Sequence, residues 1–376
     1  MKTLCPNKEV CGSCGWSHIP YEKQLKQKLS DINGSLALHK LDLSCTEIVP
    51  SAKTAHYRNR MDFVIDFEGR VGLRQKGKWW RVIDNHPCFL GDEAIEHLFP
   101  IIRQWVADSG LSFFDRKAHH GLLRYAVVRA TLAGDTMVII VTSEPNNEQE
   151  RIECLSALEV LAKDTGAATI VWSVNHTTAD VSFGDELHII SGQGFIEEVI
   201  NGFRYRITPN AFFQTNSSTA PLLMQCVQDF AGDISEQIVL DLYCGSGFFS
   251  IPLARSAKKL IGVELVPEAI ADAQVNAELN NADISFHVAK TEEYDWMSLD
   301  PDLVIIDPPR SGLHDNALKD LLTSLPPRIV YVSCNYKQYA RSITELSKYY
   351  RVDAIKAVDM FPHTPHVELV SKLVRR

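Results

Sequence analysis

The sequence predicts an α/β fold whose C-terminal half is a mostly parallel, doubly wound sheet. Three observations carry this. From Gln237 onward short β-branched runs alternate with helical stretches, which is how βα units read. A Gly-rich turn, Cys244-Gly245-Ser246-Gly247, follows the first of these strands. Polar and acidic residues then recur where the later strands stop, the edge at which such sheets bind ligands.

The N-terminus opens on Cys5-x5-Cys11-x2-Cys14, with Cys88 far downstream in Asn85-His86-Pro87-Cys88. The first 20 residues carry no apolar core and do not read as a signal peptide. No apolar run approaches a membrane span, so a cytoplasmic protein with no membrane partner is expected. There, nine cysteines are thiols, metal ligands or catalysts rather than disulfides. Four of them suit tetrahedral zinc or an iron–sulfur cluster, and spacing alone does not choose.

Between Lys53 and Arg81 lie eight basic residues (53, 58, 60, 70, 74, 76, 78, 81) against three acids (62, 66, 68), interleaved with Tyr57, Trp79 and Trp80. Cations for phosphates and aromatic faces for unpaired bases are what single-stranded RNA recognition uses. Lys117, His119, His120 and Arg124 extend the candidate surface. The formal net charge of −9 argues against broad nucleic-acid affinity and confines any RNA contact to such a patch. Residues 122–205 read as strands around one helix, Glu148 to Lys163. With 45% apolar and 23% charged residues over 376 positions, two domains are expected. We place an α+β, cysteine-bearing RNA-binding region at 1–208 and a catalytic domain at 209–376.

In the second half, Ile238 to Tyr243 reads as a strand, Phe248 to Ala257 as a helix, and Leu260 to Leu265 as a strand with Glu264 at its end. A helix over Glu268 to Asn280 follows Pro267, which suits a first turn. Ile284–Val288, Leu303–Ile306 and Arg328–Val332 complete the strands. The fourth runs into Asp307-Pro308-Pro309-Arg310-Ser311-Gly312 and the fifth ends in Ser333-Cys334-Asn335. Gly245 and Gly247 clear side chains from a close backbone approach, and the Glu264 carboxylate can accept both hydroxyls of a ribose. The third glycine of the dinucleotide fingerprint is missing. Cys334 taken alone also reads as a buried structural thiol. With the carboxylate of Glu368 after Phe361-Pro362-His363-Thr364, it offers a nucleophile and a base.

This constellation resembles the class I S-adenosylmethionine-dependent methyltransferases, with a Rossmann-like catalytic domain. The blocks around Asp307, Cys334 and Phe361, together with Asn210-Ala211-Phe212-Phe213-Gln214-Thr215-Asn216, narrow it to the RNA uracil-C5 methyltransferases. The resemblance covers nearly the whole chain. It implies Cys334 as nucleophile on C6 of uracil and Glu368 as the base that removes the C5 proton. It implies S-adenosylmethionine contacts at Gln214, Tyr243, Gly245, Gly247 and Glu264, and Asp307 holding the uracil or cofactor edge. It also implies a [4Fe–4S] cluster on Cys5, Cys11, Cys14 and Cys88. Phe248, where relatives often carry a small or amide residue, and Lys290, where an amide or acid commonly meets adenine, depart from the pattern. His363 and His366 receive no role.

Within the family, a short chain with a cysteine cluster and no preceding β-barrel, and with Cys11-Gly12-Ser13-Cys14-Gly15-Trp16, looks most like the enzymes of uracil 747 in 23S rRNA. The T-loop uridine of transfer RNA and another 23S rRNA uridine are the alternatives. A monomer acting on a single-stranded loop is expected. Exocyclic-amine methylation is disfavoured by Cys334 and Asp307-Pro308-Pro309-Arg310, and a non-catalytic RNA-binding cluster protein by the intact Gly245, Gly247, Glu264, Cys334 and Glu368.

Overall fold

The computed structural model describes residues 5–376, with the Trp79 side chain left aside. Two large sheets organise it. Seven strands of the first half form a mainly antiparallel sheet, in the spatial order Lys78–Asp84, Val71–Gln75, Arg60–Ile65, Leu123–Ala130, Thr136–Ser143, Thr169–Asn175, Glu186–Ser191. Its one parallel pair, Thr136–Ser143 with Thr169–Asn175, is bridged by the helix Glu148–Thr165, as a parallel crossover requires. Asn147 caps that helix by accepting the Glu150 amide, and Gly166 ends it at φ +58°.

The second sheet has eight strands, ordered Ile48–Val49, Tyr350–Val358, Glu368–Arg375, Arg328–Ser333, Leu303–Ile306, Ile238–Leu242, Lys259–Glu264, Ser285–Val288. The four contacts from Arg328–Ser333 across to Ser285–Val288 are parallel. The α/β, mostly parallel expectation therefore holds. Central strands are buried on both faces, which is why Leu303-Val304-Ile305-Ile306 reads as an unbroken apolar run. The strand order reverses between Ile238–Leu242 and Leu303–Ile306, the switch point at which such sheets open a crevice. Glu368–Arg375 runs antiparallel to both its neighbours. Its first residue therefore lies at the edge where the parallel strands end.

Two features of the first 50 residues belong to this second sheet. Ile48–Val49 forms its edge, parallel to Tyr350–Val358. The helix Tyr21–Leu38 packs on the helix Tyr336–Leu346. Its buried stripe is Gln24, Lys28, Ile32, Ser35 and Leu36, helical in spacing but polar in its first two members. Those two meet the polar loop after Val358. Lys28 Nζ, fully buried, donates to Asp359 Oδ1 at 2.6 Å and to the Phe361 carbonyl at 3.0 Å. Removing one member of a buried pair strands the other, so Lys28→Ala is expected to cost about 3–5 kcal/mol in denaturant unfolding. A loss under about 1 kcal/mol would show a pair worth no more than a surface one.

Among the described residues, no helix is long and apolar enough to cross a membrane.

Candidate active site

The carboxyl edge of the second sheet gathers the predicted residues. Ile238–Leu242 leads into Tyr243, which takes φ +65°, then into Gly245 at +54° and Gly247 at +85°. These left-handed steps fold the chain back sharply, and only glycine adopts them without strain. A Cβ on Gly245 would enter open space, whereas one on Gly247 would sit 3.1 Å from Ile251 Cδ1. The turn is thus open on one side and packed on the other. Glu264, ending the next strand, accepts the Gly245 amide at 3.2 Å and the Val266 amide at 3.0 Å, one on each oxygen. Each oxygen keeps a further lone pair for a ligand hydroxyl.

Cys334 and Glu368 are brought together by register. Arg328–Ser333 pairs with Glu368–Arg375 so that Ser333 faces Leu369. That is the last pair of the ladder, so Cys334 and Glu368, the next residue of each strand, leave it at the same end, and the charge of Glu368 acts on the Cys334 thiol. Asp307, following Leu303–Ile306 one strand over, adds a second carboxyl to this end of the sheet. Cys334 is partly exposed, whereas Glu368 is buried and its Oε2 has no hydrogen-bond partner.

Burial pushes the Asp307 carboxyl up to about 7. Burial, then the charge of Asp307, holds Glu368 well above the usual carboxylate range. Burial pushes the Cys334 thiol up to about 12; Glu368 and Asp307 add to this, and Arg310 opposes it. The resting site is a protonated thiol beside two carboxyls of raised proton affinity.

Several participants escaped the sequence reading. Asp241, buried in the first strand, accepts the Ser250 hydroxyl through Oδ2 and leaves Oδ1 unpartnered. Burial raises it to about 7, with Asp307 and Glu264 adding. An acid at the end of an apolar strand, just before a glycine turn, was the available signal. Asn335 donates from Nδ2 to the Arg310 carbonyl at 3.0 Å, and its Oδ1 caps the following helix. Arg310 lies 3.2 Å from His366 Nδ1, and burial, then Arg310, lowers that imidazole to about 4. His366 is therefore neutral at pH 7.

Gln214 is buried, and its carbonyl accepts Asn59 Nδ2 at 2.8 Å. Asn216 Nδ2 donates to the Met360 carbonyl at 3.0 Å, tying this block to the loop ahead of Glu368. Phe248 turns into the core, its ring 5.9 Å from Tyr205 and from Phe213 and 4.9 Å from Phe249. Its departure from pattern is a packing matter. Lys290 is exposed and paired with Glu293 at 2.6 Å.

The structure also gathers Cys5, Cys11, Cys14 and Cys88, each buried to 2% exposure or less. Burial raises the Cys14 thiol to about 12, with Cys5, Cys88 and Cys11 contributing. Cys5 Sγ is 3.8 Å from His86 Nε2. Among the described residues, no group of three or more His, Cys, Asp or Glu is arranged to hold a metal ion.

The basic stretch is smaller than its composition suggests. Arg60 is paired with Asp62, Arg70 with Asp66 and Glu68, and Arg74 with Asp180. Arg58 lies against Tyr57 and Cys88, Tyr57 is 4% exposed, and Arg124 is fully buried, donating to the Thr177 and Ala179 carbonyls. Arg124 and Tyr57 are thus not part of an RNA surface. What projects is the hairpin Val71–Gln75/Lys78–Asp84, with Lys76, Lys78, Trp80 and Arg81 exposed. Its tip is pinned to the cysteine segment: Cys11 bridges Gln75, and the Lys76 amide donates to the Val10 carbonyl at 2.8 Å.

Comparison with known proteins identifies relatives along nearly the whole chain. The model of the tRNA (uracil-5-)-methyltransferase family matches residues 181–295 and 286–376. The tRNA (uracil(54)-C(5))-methyltransferase of Pyrococcus horikoshii is 38% identical over 97% of this chain and 84% of its own length. An uncharacterized RNA methyltransferase of Caldanaerobacter subterraneus subsp. tengcongensis is 35% identical over 99% of this chain and 85% of its own. The crystal structure of Pyrococcus abyssi tRNA (uracil-54, C5)-methyltransferase with S-adenosyl-L-homocysteine matches at TM-score 0.80 and 35% identity. It covers 97% of this chain and 86% of that one.

Proposed function

This chain belongs to the tRNA (uracil-5-)-methyltransferase family, and from that premise we propose that it methylates C5 of a uridine in RNA through a covalent bond between Cys334 and C6 of the base. The observation that carries the reading is the strand pairing that brings Cys334 and Glu368 to the same end of the ladder, where Glu368 and Asp307 both act on the thiol. C5 of uracil is too weak a nucleophile to take a methyl group unaided. The Cys334 thiol gives up its proton to solvent on its exposed side, and the thiolate adds to C6, moving electron density onto C5 and the C4 carbonyl. Asp307, whose carboxyl is raised to about 7, donates or accepts a hydrogen bond at the uracil edge according to its protonation. When bound, S-adenosylmethionine supplies an electrophilic methyl group on a sulfonium. Glu368 then removes the C5 proton with its unpartnered Oε2, and the C6–S bond breaks to return the thiolate.

The residues present fit that cofactor. The open side of Gly245 admits a ligand at the turn, and Glu264 keeps lone pairs for ribose hydroxyls. Gly247, Tyr243 and Gln214 complete the proposed cradle, and Asp307 borders it. We also propose that Cys5, Cys11, Cys14 and Cys88 hold a [4Fe–4S] cluster in a structural role. What supports the proposal is that the four thiols are buried together and that Cys14 feels the other three, on top of the spacing that the family resemblance reads as a cluster site. Anaerobic purification is expected to yield about four irons per chain; stoichiometric zinc instead would refute the cluster.

The division of labour proposed is RNA binding by the seven-stranded part of 1–208 and chemistry by 209–376, to which the helix Tyr21–Leu38 and the strand Ile48–Val49 are added because they pack on the helix Tyr336–Leu346 and the second sheet, in the cytoplasm. The named relatives favour the T-loop uridine of transfer RNA as target. Uracil 747 of 23S rRNA is the second reading, favoured by Cys11-Gly12-Ser13-Cys14-Gly15-Trp16. Labelled S-adenosylmethionine with transcripts of each RNA, intact and with the target uridine changed to cytidine, tests the function. Label on one transcript, lost with its uridine, supports uracil methylation and names the target. Label that survives the change would point to another base, and no label to a binding protein. For the surface, Lys78→Ala should weaken RNA binding and reduce the slope of log K against log salt by about 1. An unchanged slope would place the RNA elsewhere.

A further inference from the structure

We propose that Gln24, far from the site in sequence, is a positioning residue for this reaction: by clamping the turn at His363 it sets where Glu368 stands opposite Cys334. The inference rests on Glu368 being the base. His363 lies five residues ahead of Glu368, is 3% exposed, and adopts φ +65° without being glycine. Such a conformation persists only where the surroundings over-determine it. Here they do. The His363 amide donates to Gln24 Oε1 at 2.7 Å, which fixes the orientation of the Gln24 amide because a backbone N–H cannot accept. Gln24 Nε2 then faces His363 Nδ1 at 3.0 Å, making Nδ1 the acceptor and placing the ring proton on Nε2. The same Nε2 reaches the Ile19 carbonyl at 2.8 Å and the Trp16 carbonyl at 3.2 Å. The His363 carbonyl accepts the Trp16 amide at 3.0 Å.

The side chain of Gln24 is itself wholly buried, and its hydrogen bonds go to Trp16, Ile19 and His363, not to Cys334 or Glu368. It acts through the loop. The neighbouring carbonyls are held as well, Phe361 by Lys28 and Pro362 by Tyr57 at 3.0 Å, so the turn is a rigid lead-in to the last strand. Addition of the thiolate and transfer of the methyl group depend on Cys334 and the Gly245 turn, which Gln24 does not hold. Proton removal depends on where Glu368 points. Loss of the clamp should therefore fall on the last chemical step.

The test compares wild type, Gln24→Ala, Gln24→Glu and, as a control, Glu368→Gln, each with methyl-labelled cofactor and the substrate RNA. For Gln24→Ala we expect kcat to fall about 10- to 100-fold, as a small misplacement of a reacting group does. KM for RNA and cofactor should stay as in wild type, single-turnover methyl transfer should keep its rate, and labelled RNA–protein adduct should persist on a denaturing gel. Gln24→Glu keeps the acceptor for the His363 amide and should lie between, a partial rescue. Raised KM values, slowed methyl transfer or absence of persistent adduct in the Gln24 variants would overturn the proposal. Should Gln24→Ala fail to fold, Gln24→Glu alone decides by the same readout. If Glu368→Gln holds adduct and the Gln24 variants do not, positioning fails and the base assignment stands. If Glu368→Gln holds none, the base assignment itself has failed.

Discussion

Cys334→Ala should form no adduct with its RNA and lose turnover by about 10⁴-fold or more, because a covalent route has no substitute for its nucleophile. Replacing the target uridine by 5-fluorouridine should trap the wild-type protein, since fluorine does not leave C5 as a proton does, and should leave Cys334→Ala free. Binding of RNA and cofactor should survive, as neither depends on the sulfur. The surroundings of the thiol add a pH dependence. Burial and the neighbouring Glu368 and Asp307 raise Cys334 to about 12 in the unliganded site. A group so far above neutrality gains thiolate about tenfold per pH unit between 7 and 9. Alkylation of Cys334 in the free protein by iodoacetamide should rise at that rate, and Arg310→Ala should slow it at each pH. Alkylation independent of pH over that range, or adduct formed by Cys334→Ala, would remove Cys334 from the role.

The strands that carry the site were legible because their burial is two-sided and their ends are chemically marked. Leu303–Ile306 is a pure apolar run closed by Asp-Pro-Pro, and nothing local competes with that reading. The helix expected over Phe248 to Ala257 shortens to Ser250–Ala254, because Phe248 and Phe249 are used as core anchors before the helix begins. Direction was less legible than existence: parallel and antiparallel buried strands look alike in sequence. The antiparallel course of Glu368–Arg375, on which the facing of Cys334 and Glu368 depends, is a tertiary fact. The helix Tyr21–Leu38 escaped for a different reason. Its inward stripe begins with Gln24 and Lys28, residues that composition assigns to solvent, and their partners are more than 300 positions away. The basic stretch misled in the opposite sense. Arg60 and Arg70 are neutralised by acids within a few residues, which the sequence displays, and Arg74 by Asp180, which it does not.

Glu368→Gln separates methyl transfer from release. Its carboxylate is buried, its Oε2 has no partner, and burial together with Asp307 holds its proton affinity above that of an ordinary carboxylate. Those properties suit a group that waits unpaired and then takes a proton from carbon. They are of no use to thiolate addition. The glutamine variant keeps the shape of the side chain and lowers the negative charge facing Cys334, so the thiol should ionise at least as readily as in wild type. Addition and methyl transfer should proceed, and the C5 proton should then find no base. Loss of one general base costs about 10²–10⁴-fold in the step it serves. Release should slow by that factor while the single-turnover rate of methyl transfer is retained. The visible result is a labelled, RNA-shifted band with ordinary uridine substrate, which wild type shows only with 5-fluorouridine. Raising the pH should not restore release, because the amide has no proton to lose in that range. Failure to transfer methyl at all would place Glu368 in an earlier step, and normal turnover by Glu368→Gln would assign proton removal to another group, for which Asp307 is the first to examine.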